Sequence, residues 1–359
     1  MTTRYVGPGG SDANSGLTWA LRKLTLNGVE DTPVVAGDTV YVGPGTYREL
    51  LTVDVSGTAG NPITYIGDYS GVNTDGIGGV VRITGSDNDQ TATRGSCITA
   101  TTKTYRTFRG FNLDTTTGNI INAATACSNW VIDQCLFPIS GVGFPIVFSG
   151  TAAGVAIQNC SFQGSNQGIV FTHTSTVDNA GHTIENCLFN AMQSRTISST
   201  RVGGITVRNC SFIGGVSTGV RVDTALTGGQ TVTVNNCVFC SLAVAMQAVN
   251  VGEIVENYNS FWSNTTDRTN VNTGANSNTY PPYTDPRWLY ELISGKGRML
   301  SSFDLASFSQ LVNLAGTSPT TTDMRGTAVI GAQREWGALE YDLDLKLRAS
   351  RARFLIGIG

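Results

Sequence analysis

The chain is short of charge. Asp, Glu, Lys and Arg make up 14% of its 359 residues, with a formal net charge of -3, where an ordinary globular domain is about a quarter charged. That balance gives no overall attraction to nucleic acid or to an anionic membrane. Lysine is scarcest, confined to Lys23, Lys103, Lys296 and Lys346. His173 and His182 are the only histidines, each beside a threonine, and both are read as surface residues. No run approaches the roughly eighteen consecutive apolar residues of a membrane-spanning helix. The opening, MTTRYVGPGG, has no apolar stretch like that of a signal peptide. The expectation is a protein that acts inside a cell or leaves it by another route, such as lysis.

What is abundant points to strands and turns. Hydrophobic residues reach 40%, enough for a core, and there are 43 glycines. Five of the 8 cysteines share one six-letter frame: IDQCLF ending at Phe137, IQNCSF at Phe162, IENCLF at Phe189, VRNCSF at Phe212 and VNNCVF at Phe239. Cys135, Cys160, Cys187, Cys210 and Cys237 are thus 25, 27, 23 and 27 residues apart. A period in the twenties is the mark of stacked repeats. Within each frame an apolar residue, the Cys and the Phe alternate with polar positions, as strands do, and an amide (Gln134, Asn159, Asn186, Asn209, Asn236) marks a bend. A second strand follows in most periods, as in GIVF (168–171) and GVRV (219–222). Each period then reads as one coil of a flattened solenoid, its Cys stacked as a small apolar filler and its Asn stacked on Asn. A disulfide or metal framework fits less well, because metal sites use close Cys pairs and only Cys237 and Cys240 form one.

FRGFNLD (108–114) fits the frame, with Phe111 in the Cys slot and Leu113 in the Phe slot; ENYNSFW (256–262) reads as a last coil with an extra residue. The boundaries expected are an N-terminal strand and capping helix over 1–37, a β-helix of roughly nine coils over 38–280, a closing segment over 281–341 and a C-terminal arm over 342–359.

The opening YVGPGGSDANSG (5–16), then WALRKLTL (19–26) and AGDTVYVGPGTYRE (36–49), resemble the N-terminal portion of right-handed parallel β-helix proteins of the pectate-lyase-like superfamily. TTDMRG (321–326) and EWGALEY (335–341) are similar to the closing motif of that group. The resemblance implies an all-β, single-stranded right-handed parallel β-helix, with 19–26 as a capping helix. It implies little about function, because the superfamily holds lyases, hydrolases, epimerases, adhesins and phage tailspikes.

Three places could carry chemistry. NTDGI (73–77) matches a string of polygalacturonases, but the partner motifs are missing, so Asp75 is read as part of a turn. Asp87 and Asp89 of SDND (86–89) could hold Ca²⁺ or form a solvated turn. The outward column Asp133, Gln158, Glu185, Arg208, Asn235 contains a Glu185–Arg208 neighbour pair. It reads either as a cross-strand ion pair or as a sugar-binding or catalytic face with Asp133. No cofactor is otherwise expected.

The arm alternates Leu343, Leu345 and Leu347 with charged residues, followed by Arg348, Arg351, Arg353 and Phe354. It could cap the last coil or dock on a partner by adding a strand. The leading expectation from these residues is a structural virion protein of a tailed phage, made in the host cytoplasm. It would join other virion proteins or its own copies through the arm, as a trimer by analogy, with a surface polysaccharide as a further candidate ligand. The alternative is an extracellular polysaccharide lyase or glycoside hydrolase resembling tailspike depolymerases.

Overall fold

The computed structural model describes residues 1–277 except 33, 139–142 and 178–179, together with 279 and an antiparallel pair, Leu289–Leu292 with Met299–Ser302. Three parallel sheets dominate. Sheet A has ten strands, from Thr3–Val6 to Ile254–Asn257. Sheet B has nine, from Gly45–Tyr47 to Ser260–Trp262, and sheet C nine, from Leu51–Val53 to Thr266–Thr269. The chain takes one strand from each sheet in turn, and each strand pairs with its counterparts in the coils before and after, giving a solenoid of about nine turns.

The cysteine frame forms the corner between sheets A and B. Gln134, Asn159, Asn186, Asn209 and Asn236 all lie near φ 54°, between 53° and 56°. Asn tolerates this left-handed region better than most residues, so it turns the chain without glycine. The frame phenylalanines Phe137 to Phe261 stack coil on coil, with ring centroids 4.5 to 5.3 Å apart. All eight cysteines are free and buried. Each frame thiol reaches the carbonyl two residues earlier, as Cys160 Sγ does to Gln158 O at 3.1 Å and Cys187 Sγ to Glu185 O at 3.2 Å. The slot therefore suits a small apolar atom that can also donate weakly inward at the bend.

Three expectations need correction. ENYNSFW carries no extra residue: Val234 pairs with Glu256 and Phe239 with Phe261, so Tyr258 takes the bend at φ 54° and Asn259 the Cys slot. The capping helix is Leu26–Asp31, N-capped by Thr25, not 19–26; a 3-10 turn covers Trp19–Leu21, and Lys23 bridges to Val6 in extended form. His182 is not a surface residue: it is 1% exposed, fills an inward slot opposite Ile205 and stacks on Phe171 with centroids 4.2 Å apart. The closing motifs and the arm residues Leu343, Leu345, Leu347, Arg348, Arg351, Arg353 and Phe354 lie outside the described residues.

Candidate functional site

Asp75 is a turn residue, its Oδ1 accepting from the backbone N–H of Ile77 at 3.0 Å and Gly78 at 3.1 Å. Asp87 and Asp89 are engaged by arginines. Arg94 Nη2 donates to Asp87 at 2.6 Å, while Arg48 (2.6 Å) and Arg82 both donate to Asp89. Hydrogen bonds from Arg48 and Arg82 hold the Asp89 carboxyl down to about 2. A cation here would compete with three guanidiniums, and among the described residues no three His, Cys, Asp or Glu side chains are grouped to hold a metal ion.

The outward column of sheet A is in perfect register: Arg109, Asp133, Gln158, Glu185, Arg208 and Asn235 are successive ladder partners. Asp133, with its side chain 3% exposed, accepts from Arg109 Nε at 2.7 Å and from Asn159 Nδ2 at 2.8 Å. Asn186 in turn donates to Asn159 at 3.2 Å. Asp133 thus ends the asparagine ladder with a charge where Gln134 breaks the run of bend asparagines. Arg208 Nη2 donates to Glu185 Oε2 at 2.7 Å, an ion pair across neighbouring strands. Asp133 is thus held by Arg109 and Asn159, and Glu185 and Arg208 by each other.

A second cluster, on the outer face of sheet C, was not apparent from sequence. Most strands of this sheet have three or four residues, but Gln167–Val177, Arg195–Val202 and Thr218–Thr224 run to 11, 8 and 7. Between the last two the register slips, Ser199 facing Val222 and Thr200 facing Thr224. Asp223 is the extra residue of this bulge, a device that re-aims a side chain. Arg195 Nη1 reaches Asp223 Oδ2 at 3.0 Å and Arg221 Nε reaches Oδ1 at 2.6 Å. The arginine side chains are 35% and 32% exposed and Asp223 is 11% exposed. Ser198, the ladder neighbour of Arg221, is buried and its hydroxyl has no hydrogen-bond partner. Buried polar groups are nearly always satisfied, so such an atom asks for a missing donor or acceptor.

Arg221 also belongs to an outward column that runs from Thr52 through Thr99 and Asn122 to Val147, Val170 and Ser198, and on to Gln247 and Thr269. It is the one charged member. The signal in the sequence was an Arg-x-Asp pair, Arg221 and Asp223, in a column whose other members are uncharged.

No protein-family model matches the chain, and no curated protein matches it in sequence. Solved structures do resemble it. A pectate lyase, Pel9A, superposes with a TM-score of 0.59 at 16% identity, over 95% of this chain and 97% of that one. A rhamnogalacturonan lyase gives 0.52 at 16% identity, over 97% and 98%. An alginate lyase from Paenibacillus gives 0.53 at 14% identity, over 75% and 99%. The fold is that of the pectate-lyase-like parallel β-helices. At such identities the likeness of this β-helix to those proteins is one of fold, and residue roles have to be argued from its own side chains.

Proposed function

We propose that this β-helix is a polysaccharide-cleaving enzyme whose site is the outer face of sheet C around Arg195, Arg221 and Asp223. The observation that carries the reading is a carboxylate held between two part-exposed guanidiniums at a bulge, one strand from a buried hydroxyl that lacks a partner. The kind of polymer follows from the charges. Guanidinium groups recognise carboxylates through paired N–H donors, so Arg195 and Arg221 would hold the acid group of a uronic sugar. Neutralising that group makes the neighbouring C–H more acidic, and Asp223 is placed to accept the proton. Loss of the glycosidic oxygen from the adjacent carbon, taking a proton from water as its bond breaks, then completes a β-elimination.

Elimination is favoured over hydrolysis by the number of carboxylates that face the arginines. Glycoside hydrolysis typically uses two around one bond. Glu253, from a nearby turn, is saturated by donors from Leu226, Val249 and Asn250, so among the described residues Asp223 is the carboxylate beside the arginines. Three of the similar solved structures are lyases, which adds support at the level of fold. The virion reading rests on the absent signal, the incomplete catalytic motifs, the low charge and the arm at 342–359 taken together, and the similar structures do not bear on it.

The test is incubation with polygalacturonate, alginate and bacterial surface polysaccharides, following the ultraviolet absorbance of an unsaturated product. Asp223→Asn should abolish the signal with an unchanged melting temperature. Full activity in that variant would remove Asp223 from the chemistry.

A further inference from the structure

The chemistry proposed for sheet C leaves one nearby arginine unused. Arg195 and Arg221 are tied to Asp223. Arg201 lies on the same strand as Arg195 and is half-exposed, and no hydrogen bond or ion pair joins its guanidinium to another described residue. Its backbone is also unusual, with φ at 59°. Among the described residues it is the one non-glycine residue inside a strand to adopt the left-handed form; the others stand in turns and loops between strands. A long side chain stays in that region only where its surroundings fix it, and such outliers gather at functional sites.

Both neighbouring strands leave register at this level. Thr200 pairs with Thr172 on the coil before and with Thr224 on the coil after, and Val202 pairs with Val177. Residues 173–176 of the coil before therefore stand opposite Arg201 alone, and Asp223 is the extra residue of the coil after. Irregularities of this kind re-aim side chains beside sites. Arg201 comes one residue after the row Thr172, Thr200, Thr224, and Asp223 comes one residue before it. With about 3.3 Å per residue and about 4.8 Å between strands, the two backbones are about 8 Å apart. Successive sugars of one polymer chain can touch both, and the half-exposed threonines of the row offer hydroxyls to them.

A guanidinium without a partner among the described residues, fixed beside a pair that takes one carboxylate, suits a second carboxylate. Resting on the polysaccharide reading above, we infer that Arg201 holds the acid group of the sugar next to the one held by Arg195 and Arg221. The site then selects polymers in which two uronic acids are adjacent.

The test compares polygalacturonate, and separately alginate, with preparations whose carboxyl groups are largely esterified, so that acids stand singly. Binding is measured by affinity electrophoresis. Arg201→Gly should weaken binding of the untreated polymer about tenfold, yet bind the esterified polymer as the parent does. Glycine adopts the left-handed backbone freely, so the melting temperature should not fall. Arg201→Lys keeps the charge and should bind the untreated polymer more tightly than Arg201→Gly. Unchanged affinity in Arg201→Gly, an equal loss on both preparations or a lower melting temperature would each overturn the inference while leaving a polysaccharide site in place. If the parent binds neither polymer in any preparation, the polysaccharide reading itself fails and the inference with it.

Discussion

At the scale of single residues, His182 fits the core because its buried ring nitrogen has a defined partner. His182 Nδ1 accepts the backbone N–H of Val155 at 3.2 Å, so the neutral ring carries its proton on Nε2. Burial pushes its pKa down to about 4 from an ordinary 6.5. The folded form thus resists protonation more than the unfolded chain does. The contribution is complete above about pH 6.5 and is lost as pH falls towards 4, at a total of about 3 kcal/mol. The fold should therefore lose stability between those values, and His182→Phe should flatten that part of a melting-temperature profile against pH; an equally steep profile in the variant would acquit the histidine. The frame thiols lie at the other extreme, because burial pushes Cys160 and Cys187 well above the ordinary thiol range. They should ignore thiol reagents in the native protein, and reductant should leave the melting temperature unchanged. Cys187→Ser should cost roughly 1–3 kcal/mol by burying a stronger polar group in a slot made for sulfur.

At the scale of elements, the turn between sheets A and B is a ladder with a terminus. Asn186 donates to Asn159, Asn159 to Asp133, and Arg109 closes the series from the other side. Asp133→Ala should leave Asn159 without its acceptor and lower stability by about 2 kcal/mol, whereas Asp133→Asn keeps an acceptor and should cost less; equal losses in a denaturant titration would show that the charge, not the ladder, matters. This corner was legible in the sequence because its constraints are local. A left-handed bend favours Asn, period-2 alternation fixes which side chains point inward, and a fixed repeat puts like on like. The last coil was misframed for the same reason: Tyr258 stands where an amide was expected, and only strand register shows that Tyr258 makes the bend. The sheet C cluster was illegible because it depends on a bulge. Arg195 and Asp223 are 28 residues apart, and the register slip that re-aims Asp223 leaves no periodic trace. His182 was misread because a polar type says little about a slot whose neighbours, Ile205 and Phe171, come from other strands.

For the whole molecule, a solenoid of identical apolar coils has no reason to stop, and its open ends invite another chain. This one changes its inward residues from apolar to ionic near both ends. Near the first, Glu30 of the capping helix meets Arg106 in a two-pronged pair at 3.0 and 2.9 Å, with the Tyr65 hydroxyl donating to the same carboxylate. In the last coil of the described stack, Glu256 takes the inward slot opposite Val234, and Arg268 that opposite Met246. Arg268 Nε and Nη2 donate to Glu256 at 2.9 and 2.7 Å, and Gly274 N, Asn259 Nδ2 and Ser277 Oγ supply three further donors. The pair is enclosed, with the Arg268 side chain 14% and the Glu256 side chain 0% exposed, so the described stack ends on satisfied ionic groups rather than on apolar ones. Removing one partner and replacing both should therefore act differently. Glu256→Ala leaves a guanidinium unpaired over the Phe261 ring and should cost about 3 kcal/mol. The double replacement Glu256→Val with Arg268→Met restores the apolar slots of the preceding coil, and its stability should return close to that of the parent. The same change makes the end adhesive, so sedimentation should show concentration-dependent association of the double variant and none of the single one. A double variant that is stable and remains monodisperse would mean that something other than the ion pair keeps this end from stacking.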